Sequence, residues 1–187
     1  MTSTKTVDRT AGWLGVAFLI VLLVSEVVLS LPDEHATAPA VAAFYSAHRG
    51  FIIALQVTGF AAAALLGWFA WRLRAIDRRI TAAGIVLAAA TLVPALITTA
   101  IALVADPRHA AIAGDYNQLE PRGDDVLFAG VVLFAVAVLV ARGRSPRWLG
   151  VVATITAVSC LLRLLLEAAG RSRGFLEAFA PVTFLLL

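Results

Sequence analysis

Apolar runs of bilayer length are the feature that most restricts how this chain can fold. They fall at roughly 12–31, 50–71, 80–105, 126–141 and 148–169. About 20 residues are needed to cross ~30 Å of hydrocarbon at ~1.5 Å per residue. Lipid offers no hydrogen bonds to the backbone, so runs of this kind must be helices. A sixth run begins at Phe175 and reaches Leu187 after thirteen residues. As a helix that is only ~20 Å long, and it has no anchoring residue at its far end, so the natural span is expected to continue past Leu187. The predicted fold is an all-α polytopic membrane helix bundle with five full spans plus a sixth short or truncated C-terminal span. With 61% hydrophobic and 14% charged residues, against about a quarter charged in globular domains, residues 1–187 read as a single transmembrane domain. The longest polar stretch, 106–125, is only a generous loop.

Orientation follows from the arginines. Lys5, Arg9, Arg72, Arg74, Arg78, Arg79, Arg142, Arg144 and Arg147 share one side, nine in all. Arg49, Arg108, Arg122, Arg171 and Arg173 share the other. The positive-inside bias places the N-terminus in the cytoplasm, with Trp68, Trp71 and Trp148 at the same interface. The first run is too long for a signal-peptide core, and Pro39 would follow an "ATA" cleavage site, so an uncleaved first span is expected. The localisation implied is the cytoplasmic (inner) membrane, multi-pass.

This orientation brings several polar residues to one depth, ~8–10 Å below the outer surface. They are Glu26 on the first run, Gln56 on the second, Thr98 and Thr99 on the third and Arg163 on the fifth. A charge near mid-bilayer costs ~2.5–3.5 kcal/mol on insertion scales, so these side chains are expected to face one another. Glu26 is the expected partner of Arg163. Glu167, one turn further on, offers a second carboxylate on the same face. Thr156, Ser159, Arg163 and Glu167 form one stripe. Gly59, Ala63 and Gly67 form a small-residue face suited to close helix approach. Pro94 is expected to kink the third span. The fourth run has no polar residue at this depth and is expected to back onto lipid or a partner.

The first outer loop reads as a short interfacial helix from Pro39 to His48, with Tyr45, His48 and Arg49 at the mouth above the polar layer. No HxxxH or HExxH spacing is present, so no metal site and no cofactor is assigned. GxSxG, glycine-rich phosphate loops and CxxC pairs are also absent. The arginines are dispersed at span ends, which argues against nucleic-acid binding. Cys160 is the only cysteine and permits no intrachain disulfide.

The apolar first span, the "AFYSAHRGFIIALQ" lead into the second, the "WRLRAIDRR" turn and the "LLRLLLEAAG" exit of the fifth resemble small multi-span integral membrane proteins of high-GC bacteria, grouped as domains of unknown function. Fourteen arginines against one lysine agree with such a genome. The resemblance implies a membrane bundle and brings no activity with it.

The functional expectation is therefore an outward-opening intramembrane pocket for a lipid or small amphipathic ligand. Glu26, Gln56, Thr98, Arg163 and Glu167 would line it, Tyr45 and His48 would stand at its mouth, and Arg163 would fix an anionic group. Two other readings stay open. In one, the chain is a structural or interaction subunit whose polar residues hold helices together and whose Gly59–Ala63–Gly67 face or fourth span docks a membrane partner or a second copy. In the other, it is an intramembrane lipid or isoprenoid enzyme with Glu26 or His48 as acid or base.

Overall fold

The computed structural model describes residues 13–21, 29, 31–32, 35–141, 147–170 and 175–186. Among the described residues there is no strand. Helical residues 13–21 form α1. Then come α2 (Ala38–Arg72), α3 (Arg78–Ala90), α4 (Leu92–Val104), α5 (Ala110–Asn117), α6 (Glu120–Val140), α7 (Arg147–Ala168) and α8 (Leu176–Leu185). Single 3₁₀ turns at Leu73–Ala75 and Pro107–His109 join α2 to α3 and α4 to α5. Four stretches are long and apolar enough to cross a membrane: Ala38–Ala75, Arg78–Val104, Pro107–Val140 and Arg147–Ala168.

Several boundaries differ from the sequence reading for identifiable reasons. No separate interfacial helix exists at Pro39–His48, because the chain runs without a break from Ala38 to Arg72. Pro39 sits in the first turn, where its missing N–H costs nothing. Gly50 meets no neighbour and does not interrupt the helix. The third run divides at Thr91 into α3 and α4. Pro94 cannot donate to the Ala90 carbonyl four residues back, and at the same break the Thr91 hydroxyl donates to the Ala88 carbonyl at 2.8 Å. The fourth helix begins at Glu120 rather than at 126, with Pro121 in its first turn. Much of the supposed second loop is therefore helical, in α5 and the start of α6. Of the first run, only 13–21, 29 and 31 lie within the described residues.

The bundle is organised around α6, which packs against α3, α4 and α7. Helix α2 lies along α3, α4 and α5, while α8 folds back on α7. The fourth span is thus the centre of the bundle, against the expectation that it would back onto lipid or a partner. The Gly59–Ala63–Gly67 face is also occupied within the chain: Gly59 faces Ala95 of α4 and Gly67 faces Ala88 of α3. One apolar core joins α1, the second half of α2, α3, α6, α7 and α8 around Leu66, Leu87, Val131, Ala135 and Cys160. A smaller one joins the first half of α2 to α4 and α5 through Val41, Tyr45, Ile52, Ile101 and Ala113. Apolar side chains on the outside, such as Val57, Leu103, Val151 and Leu165, are exposed, as a lipid-facing surface requires.

Close backbone approach holds these helices together. A Cβ on Gly84 would lie 2.6 Å from Ala70 Cβ and 3.3 Å from the Phe134 ring. Neither the α2 backbone nor a packed aromatic ring can yield cheaply, so Gly84→Ala should destabilise the fold by about 1–3 kcal/mol. Gly50→Ala, which meets open space, should be neutral or slightly stabilising. Thermal unfolding of both variants in one detergent checks the contrast.

Candidate functional site

The site begins at the first turns of α6, where glycine permits an unusually close contact. A Cβ on Gly123 would lie 2.9 Å from Ile97 Cδ1 and 3.2 Å from Pro94 Cα. With no side chain there, the start of α6 rests directly on the Pro94 region of α4. Glu120 and Asp124, three residues before and one after Gly123, are thereby carried into the bundle end. Thr98 on α4 donates a long hydrogen bond to Glu120 Oε1 at 3.4 Å.

Arg163 on α7 meets the same turns of α6. Its Nη1 donates to Asp125 Oδ1 at 3.4 Å, and its Nη2 lies 3.9 Å from Asp124 Oδ2. The guanidinium carbon stands 3.9 Å over the centre of the Phe128 ring of α6, a cation–π contact between the two helices. The Arg163 side chain is 3% exposed, whereas Asp124 and Asp125 keep 41% and 29% of their surface. The cation is inside and its counter-charges reach outward. Its Nε is buried and has no acceptor among the described residues.

Tyr45 enters from α2. It is fully buried, and its hydroxyl likewise has no hydrogen-bond partner among the described residues. The Glu120 carboxylate is close enough to act on it electrostatically. A polar row therefore crosses the bundle from Tyr45 through Glu120 and Thr98 to Asp124, Asp125 and Arg163, using four helices.

The structure brings together part of the predicted set. Thr98, Arg163 and Tyr45 belong to the row. Glu26, and with it the expected Glu26–Arg163 pair, lies outside the described residues; among those, Arg163 meets Asp124 and Asp125. Gln56 is half-buried on α2, its amide oxygen lying over Gly59, three residues further along the same helix. Glu167 is half-buried one turn beyond Arg163, and its carbonyl accepts the Gly170 N–H at 2.9 Å. His48 is exposed: its Nδ1 lies 2.9 Å from the Phe44 carbonyl of its own helix and its ring leans on Phe44. It does not share the buried face of Tyr45. Thr99 bonds back to Ala95.

Lower on the α7 stripe, Thr156 donates to the Thr183 carbonyl at 2.9 Å, and Ser159 lies 3.1 Å from the Thr183 hydroxyl. These two residues fasten α8 to α7 rather than lining a site. Sequence reading missed Glu120, Asp124, Asp125 and Phe128. The available signal was the spacing of Glu120, Asp124 and Phe128, which at i, i+4, i+8 form one helical stripe.

Beside the row, an open groove of about 570 Å³ is lined by Ser46, Arg49, Leu103, Val104, Ala105, Asp106 and Pro107. Of the residues expected at the mouth only Arg49 lines it; Gln56, Thr98, Arg163, Glu167, Tyr45 and His48 do not. Arg49 reaches across it to the Ala105 carbonyl at the end of α4. Among the described residues no group of three or more His, Cys, Asp or Glu side chains is placed to hold a metal ion. No protein-family model, curated protein or solved structure matches the chain.

Two outcomes follow. Arg163→Met strips Asp124 and Asp125 of their buried partner and should cost about 1–3 kcal/mol. In a double-mutant cycle with Asp125→Asn the two losses should be clearly less than additive, as read from unfolding in detergent. Asp106, between the spans, accepts the Arg108 backbone N–H at 2.9 Å and lies 3.3 Å from His109 Nδ1. The backbone hydrogen bond first, and the histidine second, hold its carboxyl below the ordinary carboxylate range. Because the folded-state value is the lower one, its contribution is present at neutral pH and is lost as pH falls through that depressed value. An NMR titration of Asp106 should give a midpoint below that of an unstructured aspartate, rising in Asp106-containing protein when His109→Ala is introduced.

Proposed function

We propose that the chain is a multi-pass protein of the cytoplasmic membrane, with five full spans plus a sixth short one and a cytoplasmic N-terminus. In this reading the row from Tyr45 to Arg163 is an outward-opening intramembrane site for the polar head of a lipid or small amphipathic molecule. The observation that carries the reading is the pair of buried donors, the Tyr45 hydroxyl and Arg163 Nε, both at this end of the bundle and both without an acceptor among the described residues. A buried unsatisfied donor costs about 1–3 kcal/mol, and a head-group acceptor at either one removes that donor's share of the cost. Ionisable groups inside a span are functional candidates for the same reason.

The ion pair refines the original idea of Arg163 as an anion clamp. Its Nη atoms face Asp125 and Asp124, while Nε and the Tyr45 hydroxyl are the buried donors with no partner among the described residues. Exposed apolar surface on the spans would hold the acyl or hydrocarbon part.

The alternative reading, a structural or interaction subunit, gains support from the same ion pair acting as a helix clamp. It loses support from the two faces expected to dock a partner, since both α6 and the Gly59–Ala63–Gly67 stripe are used internally. The test is mass spectrometry of the protein purified in mild detergent, with its co-purifying lipids identified. Tyr45→Phe, which keeps the ring and removes only the hydroxyl, should lose the co-purifying molecule while leaving the thermal midpoint unchanged or slightly raised. Arg163→Leu should lose it as well. A lipid complement in Tyr45→Phe identical to that of the parent would overturn the ligand reading, and loss of folded protein in Arg163→Leu alone would favour the clamp.

A further inference from the structure

The opposite end of the bundle carries a different concentration of charge. The α2 helix ends at Arg72, a single 3₁₀ turn reverses the chain, and α3 starts at Arg78. Arg74, Arg78 and Arg79 are exposed on this turn. Arg147 and Trp148 open α7 at the same end, since α3 and α6 run antiparallel, Gly84 against Phe134 and Gly130 against Leu87 and Ala90, which sets the start of α3 beside the end of α6 and the start of α7. Asp77 is the acidic residue of the turn, and its carboxylate is engaged as an N-cap, accepting the Arg79 backbone N–H at 2.7 Å.

The indoles fix the level of these charges. Trp68, Trp71 and Trp148 are each more than half exposed, although large aromatics are ordinarily buried. Indole at the boundary of an apolar span belongs at the headgroup level of a bilayer. Arg74 lies with its guanidinium carbon 4.6 Å over the Trp71 ring, which keeps the cation at that level. Guanidinium groups match the forked geometry of phosphate oxygens. Arginines near an anionic leaflet are attracted to it.

We propose that this end is a binding surface for anionic phospholipids, with the phosphodiester held by Arg74, Arg78 and Arg79 and the glycerol region against Trp71. The proposal is independent of the site at the other end of the bundle. The partner is a membrane lipid rather than a soluble anion because the cations are interleaved with exposed indoles on helices that continue directly into apolar spans.

The experiment uses the full chain, delipidated in detergent and offered equimolar phosphatidylglycerol and phosphatidylcholine. Bound lipid is counted by native mass spectrometry. The parent should prefer phosphatidylglycerol by about tenfold. The Arg74→Gln/Arg78→Gln/Arg79→Gln variant should fall to near parity, whereas the corresponding three Arg→Lys changes, which keep the charge, should retain most of the preference. Arg108→Gln/Arg122→Gln at the other end should leave it intact. If the triple glutamine variant does not fold, Arg74→Gln alone should lower the preference several-fold. Equal binding of both lipids by the parent, or an unaltered preference in the glutamine variants, would overturn the proposal. So would inorganic phosphate displacing phosphatidylglycerol at millimolar concentration, because it would place recognition in the free anion.

Discussion

A guanidinium buried within an apolar helix must be neutralised where it lies, and the top of this bundle is arranged around that requirement. Arg163 is almost fully enclosed, with Asp124 and Asp125 as its counter-charges and the Phe128 ring beneath it. Removing a charge from water costs several kcal/mol even after relaxation, so α6 and α7 cannot separate or rotate independently at this end. The contact fixes the depth of α6. Gly123 then allows the same turns to press on α4, and Glu120 reaches Thr98 and the vicinity of Tyr45. One ion pair therefore sets the positions of three helices and, through Tyr45, the approach of a fourth.

The two ends of the molecule divide their chemistry. The end with Arg163 is buried and mixed in charge, with two donors that lack acceptors among the described residues. The other end is exposed and basic, with arginines set among tryptophans at the helix boundaries. Between them the spans are joined by small residues, Gly84 on Ala70 and Gly130 on Leu87 and Ala90. The Thr156–Ser159–Thr183 hydrogen bonds fasten α8 to α7 in the lower half. Such bonds average only ~0.6 kcal/mol each in a membrane setting, and they complement the packing rather than replace it.

Much of this was legible in the residues themselves. Length and hydropathy locate the apolar helices, because the bilayer imposes one dominant rule on the backbone. The i, i+3, i+7 stripe on α7 marked Thr156, Ser159 and Arg163 as inward-facing, and each is buried. The contact of Arg163 with Asp124 and Asp125 was not legible. Asp124 and Asp125 sit in a charged stretch that a hydropathy window assigns to water, and only the helical start at Glu120 turns that stretch inward. Depth along a helix suggests Glu26, which lies outside the described residues, and gives no sign of the α6 carboxylates. The separation of Tyr45 from His48 was obscured for a related reason. Treated as a short interfacial helix, residues 39–48 have two plausible faces, whereas on the continuous α2 only the Tyr45 face meets α4 and α5.

The central claim is that Arg163 is held by the α6 carboxylates inside the bundle, and it is a statement about one distance. Solid-state NMR of the protein in liposomes, with ¹⁵N on arginine side chains and ¹³C on aspartate carboxyls, measures that distance through their dipolar coupling. The account predicts a strong coupling between Arg163 and Asp125, in keeping with an N···O separation of 3.4 Å. The coupling should vanish in Asp125→Asn only if Asp124 does not take over the contact. Absence of any carboxylate coupling in the parent, with contacts from the guanidinium to lipid headgroups or acyl chains in its place, would contradict it.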